Sequence, residues 1–527
     1  MAWPYQELTF DLLGGYNNLD NAADILQVPR QPQIGTLDPS IPIRMALAED
    51  VWAPNNRSDI ATRPGNSDVR STAFSIGGTN GIVTGMLDQA AIASAFLLAF
   101  SVAGQRHTLA QDSTNPPAEL TGGTNPAIGQ DNLATFLNFT DGTNRGTIVL
   151  WRLRDLPQFV NASQVRSNFT VAGTGLTSLK PGFGEIFGQR GVYFDYDQDG
   201  TIHKNRGAYT DLRDGNLITD ITTQFESFER GDQDDQVRGA KRISDFLIVG
   251  GRDFVEFLGL TPAASKPFGR QEVPGGIGKG PMSHQGMINA QQRVVWPAVS
   301  GIYSLEGSRG EILKEWTVPI KPYWTSLEQT RLEFIVAGYD PSSDIGVWAV
   351  TPSGGTQHTR VVAVNFTKGE CYIWLLTRNA FANRVVSGQQ RLIGGGYAGK
   401  FRNEVRTDVF TGSADDASTA INADVQTPLH HCGLPGVKKL FVGVKVWFVN
   451  QSTSEAVTLN WRTDTNNAFA GFSASPYTVT SSDKPKFFPL SKAGTGLQIE
   501  FKDVNRGQAF RVSKYAIVFK LLEPALV

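Results

Sequence analysis

The chain has 527 residues, 40% hydrophobic and 10% aromatic, enough for several sizeable cores. Its 48 Lys and Arg against 50 Asp and Glu leave a formal charge of −2, which disfavours a protein that grips nucleic acid through its phosphates. Two cysteines, Cys371 and Cys432, with no CxxC spacing offer no zinc motif and no disulfide framework, and suit synthesis in a reducing compartment.

Charged residues make up only 19%, and glycines number 55. This suits a mainly β chain with much surface buried between subunits. Met1-Ala2-Trp3-Pro4 lacks the basic and apolar regions of a signal peptide. The longest apolar run, Ala90 to Gly104, falls short of a bilayer span, so no membrane segment is expected.

Residues 1–70 read as an extended N-terminal arm. Pro29, Pro32, Pro39, Pro42, Pro54 and Pro64 break any helix, while Leu12, Leu13, Ile25, Leu26 and Val28 ask for burial against another surface. Ala73–Ile76 and Ile82–Gly85 flank a glycine-rich turn and read as a first hairpin. Ala90 to Val102 fits a buried strand, with a short helix as the alternative. Thr147–Trp151 is a strand, and Val171–Leu179 a weaker one. Gly191 to Ile202 is a hairpin with Asp199-Gly200 at its tip.

The clearest pattern runs from Asp245 to Ile320. Phe246–Val249, Gly250-Gly251 and Phe254–Gly259 are echoed by Val294–Trp296, Ser300-Gly301 and Ile302–Gly307. A hairpin recurring at that spacing is the mark of propeller blades. Trp324 to Glu333 reads as one helical turn, and Asp344 to Thr377 as further strand pairs. The fold class is therefore mainly β: an extended arm at 1–70, a β-propeller with insertions at 71–400 and a C-terminal β-sandwich at 426–527. In the sandwich, Leu440, Val442, Val444, Val446 and Phe448 alternate with Phe441, Gly443, Lys445 and Trp447, so both faces of one strand are largely apolar.

Four groups of residues together resemble the tail nozzle (hub, head-to-tail stabilisation) proteins of short-tailed bacteriophages. They are Ile60–Gly65 ending Arg63-Pro64-Gly65; Asp245–Gly250 with Val255–Leu258; Gly276–Gly280 with Val294–Trp296 and Gly301–Tyr303; and Val347–Gly355 with Val361–Trp374. The resemblance spans most of residues 40–400 and is poorest over 105–240. It implies a non-catalytic propeller subunit of a homohexameric ring below the portal and the adaptor protein of the head-tail connector. Such a ring lines the exit channel for genomic DNA without binding it specifically and anchors tail fibres or spikes. Its expected location is the virion tail, after synthesis in the host cytoplasm.

Asp195, Asp197 and Asp199, followed by Gly200, match the start of a calcium loop, D-x-D-x-D-G. Arg206 stands where the bidentate Glu belongs, so an acidic hairpin tip is the plainer reading, and no other cofactor is expected. The acidic run Glu229, Asp232, Asp234 and Asp235 reads as an exposed stretch whose charges would repel passing phosphates from a DNA channel. Gly276–Gly280 lacks the Ser or Thr that a phosphate loop carries after Lys279. Adjacent His430, His431 and Cys432 point apart on a strand. Glu256, Glu306, Glu311 and Glu315 are each explained as solvent-facing strand residues. The alternatives to a nozzle are a glycan- or receptor-binding propeller and, further off, a propeller glycoside hydrolase, which would need paired carboxylates.

Overall fold

Short apolar strands between glycine turns become, in the computed structural model, seven mainly antiparallel sheets in chain order. Up to residue 117 the structure describes the strands named below with Ser75–Ile76, Thr79–Asn80, Gly81 and His107–Ala110. Beyond that it describes the chain except 128, 141–144, 229–235, 264–265, 307–311, 387–388, 398–400, 404–414, 417–418, 421–422, 433, 435, 450–454, 465–466, 480–484, 504–510 and 523–527.

The seven innermost strands are Ile82–Asp88, Ala134–Thr140, Leu176–Phe187, Gly239–Ile243, Ile288–Ala290, Val336–Asp340 and Ala380–Val386. Each packs on the next, and the seventh packs on the first, so the sheets form a closed ring of blades. The protein is a β-propeller. The seventh blade takes its outer strand from before the first: Ser67–Asp68 pairs with Phe401–Asn403, Arg402 opposite Asp68. The ring is thereby tied shut by backbone hydrogen bonds between distant parts of the chain. The seam is reinforced where Val83 N donates to Gly396 O (3.0 Å) and Asn379 Nδ2 to Val83 O (3.0 Å).

The repeat read at Phe246 and Val294 is the second strand of the fourth and fifth blades, Phe246–Gly251 and Arg293–Ala298. Asp199-Gly200 does turn a hairpin, Gln198 facing Thr201, with both turn residues at positive φ (49° and 93°). Phe96–Ser101 is a strand, as the favoured reading had it. The first hairpin differs: Ser75–Ile76 pairs with Thr79–Asn80, while Ile82–Asp88 pairs instead with Phe96–Ser101. The third blade carries two extra strands, Val171–Thr174 and Leu217–Asp220, paired in parallel.

Two further sheets pack face to face beside the sixth blade. One orders Val51–Trp52, Ile60–Thr62, Arg511–Leu521, Lys439–Phe448 and Lys486–Gly494, with Gln6–Asp11 also on Arg511–Leu521. The other contains Asp424–Gln426, Gln498–Asp503 and Glu455–Arg462, and joins the sixth blade through Leu47–Glu49, where Glu49 lies opposite Ile373. Their facing aromatic rings interlock, Phe501 with Tyr515 (6.0 Å) and Phe472 with Phe488 (5.9 Å). One buried cluster runs without a break from Val295 and Trp348 in the blades to Phe441 and Phe519. The boundaries at 70 and 426 therefore cut through paired strands: residues 1–70 contribute short strands to three different sheets.

In Lys439–Phe448 a bulge between Phe441 and Gly443 resets the alternation. Phe441, Val444, Val446 and Phe448 are buried, while Leu440 and Val442, grouped with Val444 by simple alternation, share the outer face with Lys445 and Trp447.

Tryptophans of the fifth and sixth blades tie neighbouring elements: Trp296 Nε1 donates to Lys279 O (2.7 Å), Trp324 Nε1 to Ala298 O (3.1 Å) and Trp348 Nε1 to Gly286 O (3.0 Å). The connector carrying Lys279 must pass close to the fourth blade. A Cβ on Gly280 would lie 1.7 Å from Gly251 O. Gly280→Ala is expected to destabilise the chain by about 2 kcal/mol through forced backbone displacement. Urea denaturation checks this against an exposed control, Gly369→Asn, which keeps a left-handed turn position without a close neighbour.

Candidate functional site at the propeller mouth

The charged residues that meet in space precede the inner strands. Asp131, Arg238 and Glu333 each stand just before an inner strand, and Arg152 and Arg154 just after the strand paired with the second inner one. Inner strands converge at their starts, so these side chains are brought to one mouth of the ring. Arg152 Nη2 reaches Glu333 Oε2 at 2.9 Å, and Arg238 Nη1 reaches the same oxygen at 3.2 Å. Arg331 Nη2 lies 2.7 Å from Asp131 Oδ1, and Gln130 Nε2 donates to Thr356 O (2.9 Å). The second and sixth blades, far apart around the ring, are thus bridged across its axis.

An apolar ring seats the cations. Arg152 and Arg331 each place their guanidinium carbon 4.1 Å from the centroid of Phe334. Burial lowers the pKa of Arg152, and Glu333, Asp195 and Asp131 work against that. The guanidinium stays charged because its ordinary value is so high. Behind Phe334, buried His358 contacts Phe334 O through Nε2 (2.9 Å) and Thr351 Oγ1 through Nδ1 (2.8 Å). The carbonyl can only accept, so Nε2 carries the proton and Nδ1 accepts from the threonine hydroxyl. Burial pushes the His358 pKa down to about 4, so the ring is neutral at pH 7. Its backbone N–H donates to Tyr397 Oη (3.1 Å), which donates to Asn379 Oδ1 (3.0 Å), joining the mouth to the seam between the last blade and the first.

Asp195, read as the first residue of a calcium-loop match or of an acidic hairpin tip, turns towards this region. A register shift between Phe194 and Tyr196, with Asp195 at φ 46°, turns its carboxylate away from the hairpin tip. Both its oxygens accept from Arg154 Nη1 at 2.9 Å. Burial raises its pKa, and Arg154 and Arg152 oppose the rise. Asp197 and Asp199 stay at the tip with different tasks. Asp197 Oδ1 accepts from Gly200 N (2.7 Å), and Asp199 accepts from Ser178 N (2.8 Å) and Thr177 N (3.1 Å). Among the described residues no three His, Cys, Asp or Glu side chains gather to hold a cation. Glu229, Asp232, Asp234 and Asp235 lie outside the described residues.

The other sequence candidates separate likewise. Buried His430 bonds Tyr515 Oη through Nε2 and its pKa falls to about 3, while His431 Nδ1 faces Thr495 O (3.1 Å). The Cys432 thiol is pushed up to about 12 by burial. Glu256, expected to face solvent, is 2% exposed and bound by both Arg270 Nε (2.7 Å) and Nη2 (2.9 Å). Arg270 also donates to Ser227 O and lies 4.8 Å from the Phe228 ring, so the neighbouring third blade closes over that carboxylate, which alternation alone cannot reveal. Glu306 and Glu315 are met by Arg293 and Lys321, and Glu311 lies outside the described residues. The sequence reading missed the mouth cluster. Its one local signal is a charged residue immediately ahead of several inner strands.

No protein-family model and no curated protein matches the chain. Among solved structures it is similar to catalytically inactive virginiamycin B lyase from Staphylococcus aureus with quinupristin (TM-score 0.38, 10% identity, 63% of this chain and 97% of that one). It is also similar to apo AztD from Citrobacter koseri (TM-score 0.36, 11% identity, 65% and 88%) and to an ancestral GH74 enzyme (TM-score 0.33, 8% identity, 66% and 54%). Similarity at this level says nothing about activity, and the propeller assignment rests on the strand order itself.

Glu333 keeps Arg152 and Arg238 together. Glu333→Gln is expected to cost about 2 kcal/mol, less than a fully buried pair because a third of the side chain is exposed. The loss should shrink with added salt, since the remaining term is repulsion between the two arginines. Urea midpoints at low and high ionic strength test this, and a salt-independent loss would contradict it.

Proposed function

We propose that the chain is a structural subunit of a bacteriophage tail nozzle, a ring that surrounds a DNA exit path and holds fibres or spikes. The observation that supports this most is the filled mouth. Propeller loops converge on the central axis, and here that place is taken by Glu333 and its two arginines and by Asp131 with Arg331. A mouth bridged by the protein's own charges makes the propeller a solid body, and its work then falls to its outer surfaces.

The resemblance supplies the particular role. Three of its four groups fall on the fourth, fifth and sixth blades: Phe246–Gly251 with Phe254–Leu260, Arg293–Ala298 with Gly301–Glu306, and Ile345–Val350 through Glu370–Trp374. These blades include the ones that share their core with the C-terminal sheets. In this reading DNA passes between subunits around the ring axis, not through a propeller. The partners are further copies of the chain, the adaptor of the head-tail connector, and fibres or spikes.

Light scattering with negative-stain imaging of the purified chain tests the reading. A closed six-fold ring, alone or on added adaptor, is the expected result. A monomer that never joins a ring contradicts it and directs attention to glycan or receptor binding.

A further inference from the structure

One edge of Arg511–Leu521 pairs with Lys439–Phe448, and the other is shared by two strands from early in the chain. Ile60–Thr62 takes Arg511 and Val512. Gln6–Asp11 takes the next stretch in consecutive pairs, from Asp11 opposite Lys514 to Gln6 opposite Phe519. Among the described residues Gln6–Asp11 pairs with no other strand, so a single ladder of backbone hydrogen bonds holds it. The charges suit that place, with Glu7 and Asp11 on this strand and Arg511, Lys514 and Lys520 on its partner.

Residues 12–46 connect this strand to Leu47–Glu49 and lie outside the described residues. The two ends of the connection are close. Asp11 stands two positions along the shared edge from Ile60, Val51–Trp52 is the next strand beyond Ile60–Thr62, and only Asp50 separates Val51 from Glu49. Leu47 therefore lies within about 30 Å of Asp11, a gap that about ten extended residues close. The connection has 35 residues. Extended, that length reaches about 115 Å, well beyond the roughly 60 Å width of a globular chain of this size.

From this we infer that Gln6–Asp11 is exchanged between copies of the chain. In the ring, each copy lays this strand on the Arg511–Leu521 edge of its neighbour, in the same register. The contacts are identical whichever copy supplies the strand, so exchange loses no pairing and adds a tethered link at every subunit boundary. A tether this long also weakens the preference for the chain's own edge, because effective concentration falls steeply with tether length.

The inference rests on the ring reading, and the test keeps the two apart. Glu7 and Val518 lie directly opposite each other, close enough for a disulfide, while Cys371 and Cys432 are buried. The full chain is made with Glu7→Cys and Val518→Cys together, and with each alone. On oxidation the double variant should run on a non-reducing denaturing gel as covalent multimers up to the closed ring, and reduction should return them to single chains. An oxidised mixture of the two single variants should give linked dimers that neither gives by itself. A ring whose double variant links only within one chain, or does not link, overturns the inference while leaving the ring reading intact. A parent chain that stays monomeric overturns both.

Discussion

A single carboxylate oxygen, Oε2 of Glu333, receives guanidinium groups from two other blades at 2.9 and 3.2 Å. Closing sheets into a ring forces the starts of their inner strands together, and any charge placed there must be answered by another. Arg152 and Arg331 are further held against Phe334, so the cations are seated by an apolar surface as well as by their counter-ions. Taking one partner away would leave like charges facing each other in a partly dehydrated site. The mouth is thus a structural joint between blades that share no hydrogen-bonded strands.

The same economy governs the ends of the chain. Ser67–Asp68 completes the last blade, Leu47–Glu49 bridges the sixth blade to the C-terminal sheets, and Gln6–Asp11 pairs with Arg511–Leu521. With one apolar cluster spanning Trp348 and Phe519, the blades and the C-terminal sheets share a core that neither completes alone.

Local chemistry was legible in the sequence and distant chemistry was not. The hairpin Phe246–Gly251 with Phe254–Leu260 could be read because alternation and glycine both act within a few residues. Asp199-Gly200 could be read because positive φ selects those residues. The spacing of Asp195, Asp197 and Asp199 does not keep them together, because one register shift moves Asp195 to Arg154 while Asp197 and Asp199 stay at the hairpin tip. A bulge in Lys439–Phe448 likewise swapped which apolar residues face the core. Arg152 and Glu333 could not be paired in advance: a long stretch of chain separates them, and only ring closure brings them together.

Hydrogen–deuterium exchange on the intact protein tests most directly whether the chain is one solid body. The account predicts that backbone amides around Asn132, Arg238 and Val336 at the mouth, and those of Lys439–Phe448 and Arg511–Leu521, are protected alike and lose protection together as denaturant is added. Exchange of the C-terminal sheets at a lower denaturant concentration than the sixth blade, or rapid exchange at the mouth under native conditions, would contradict it.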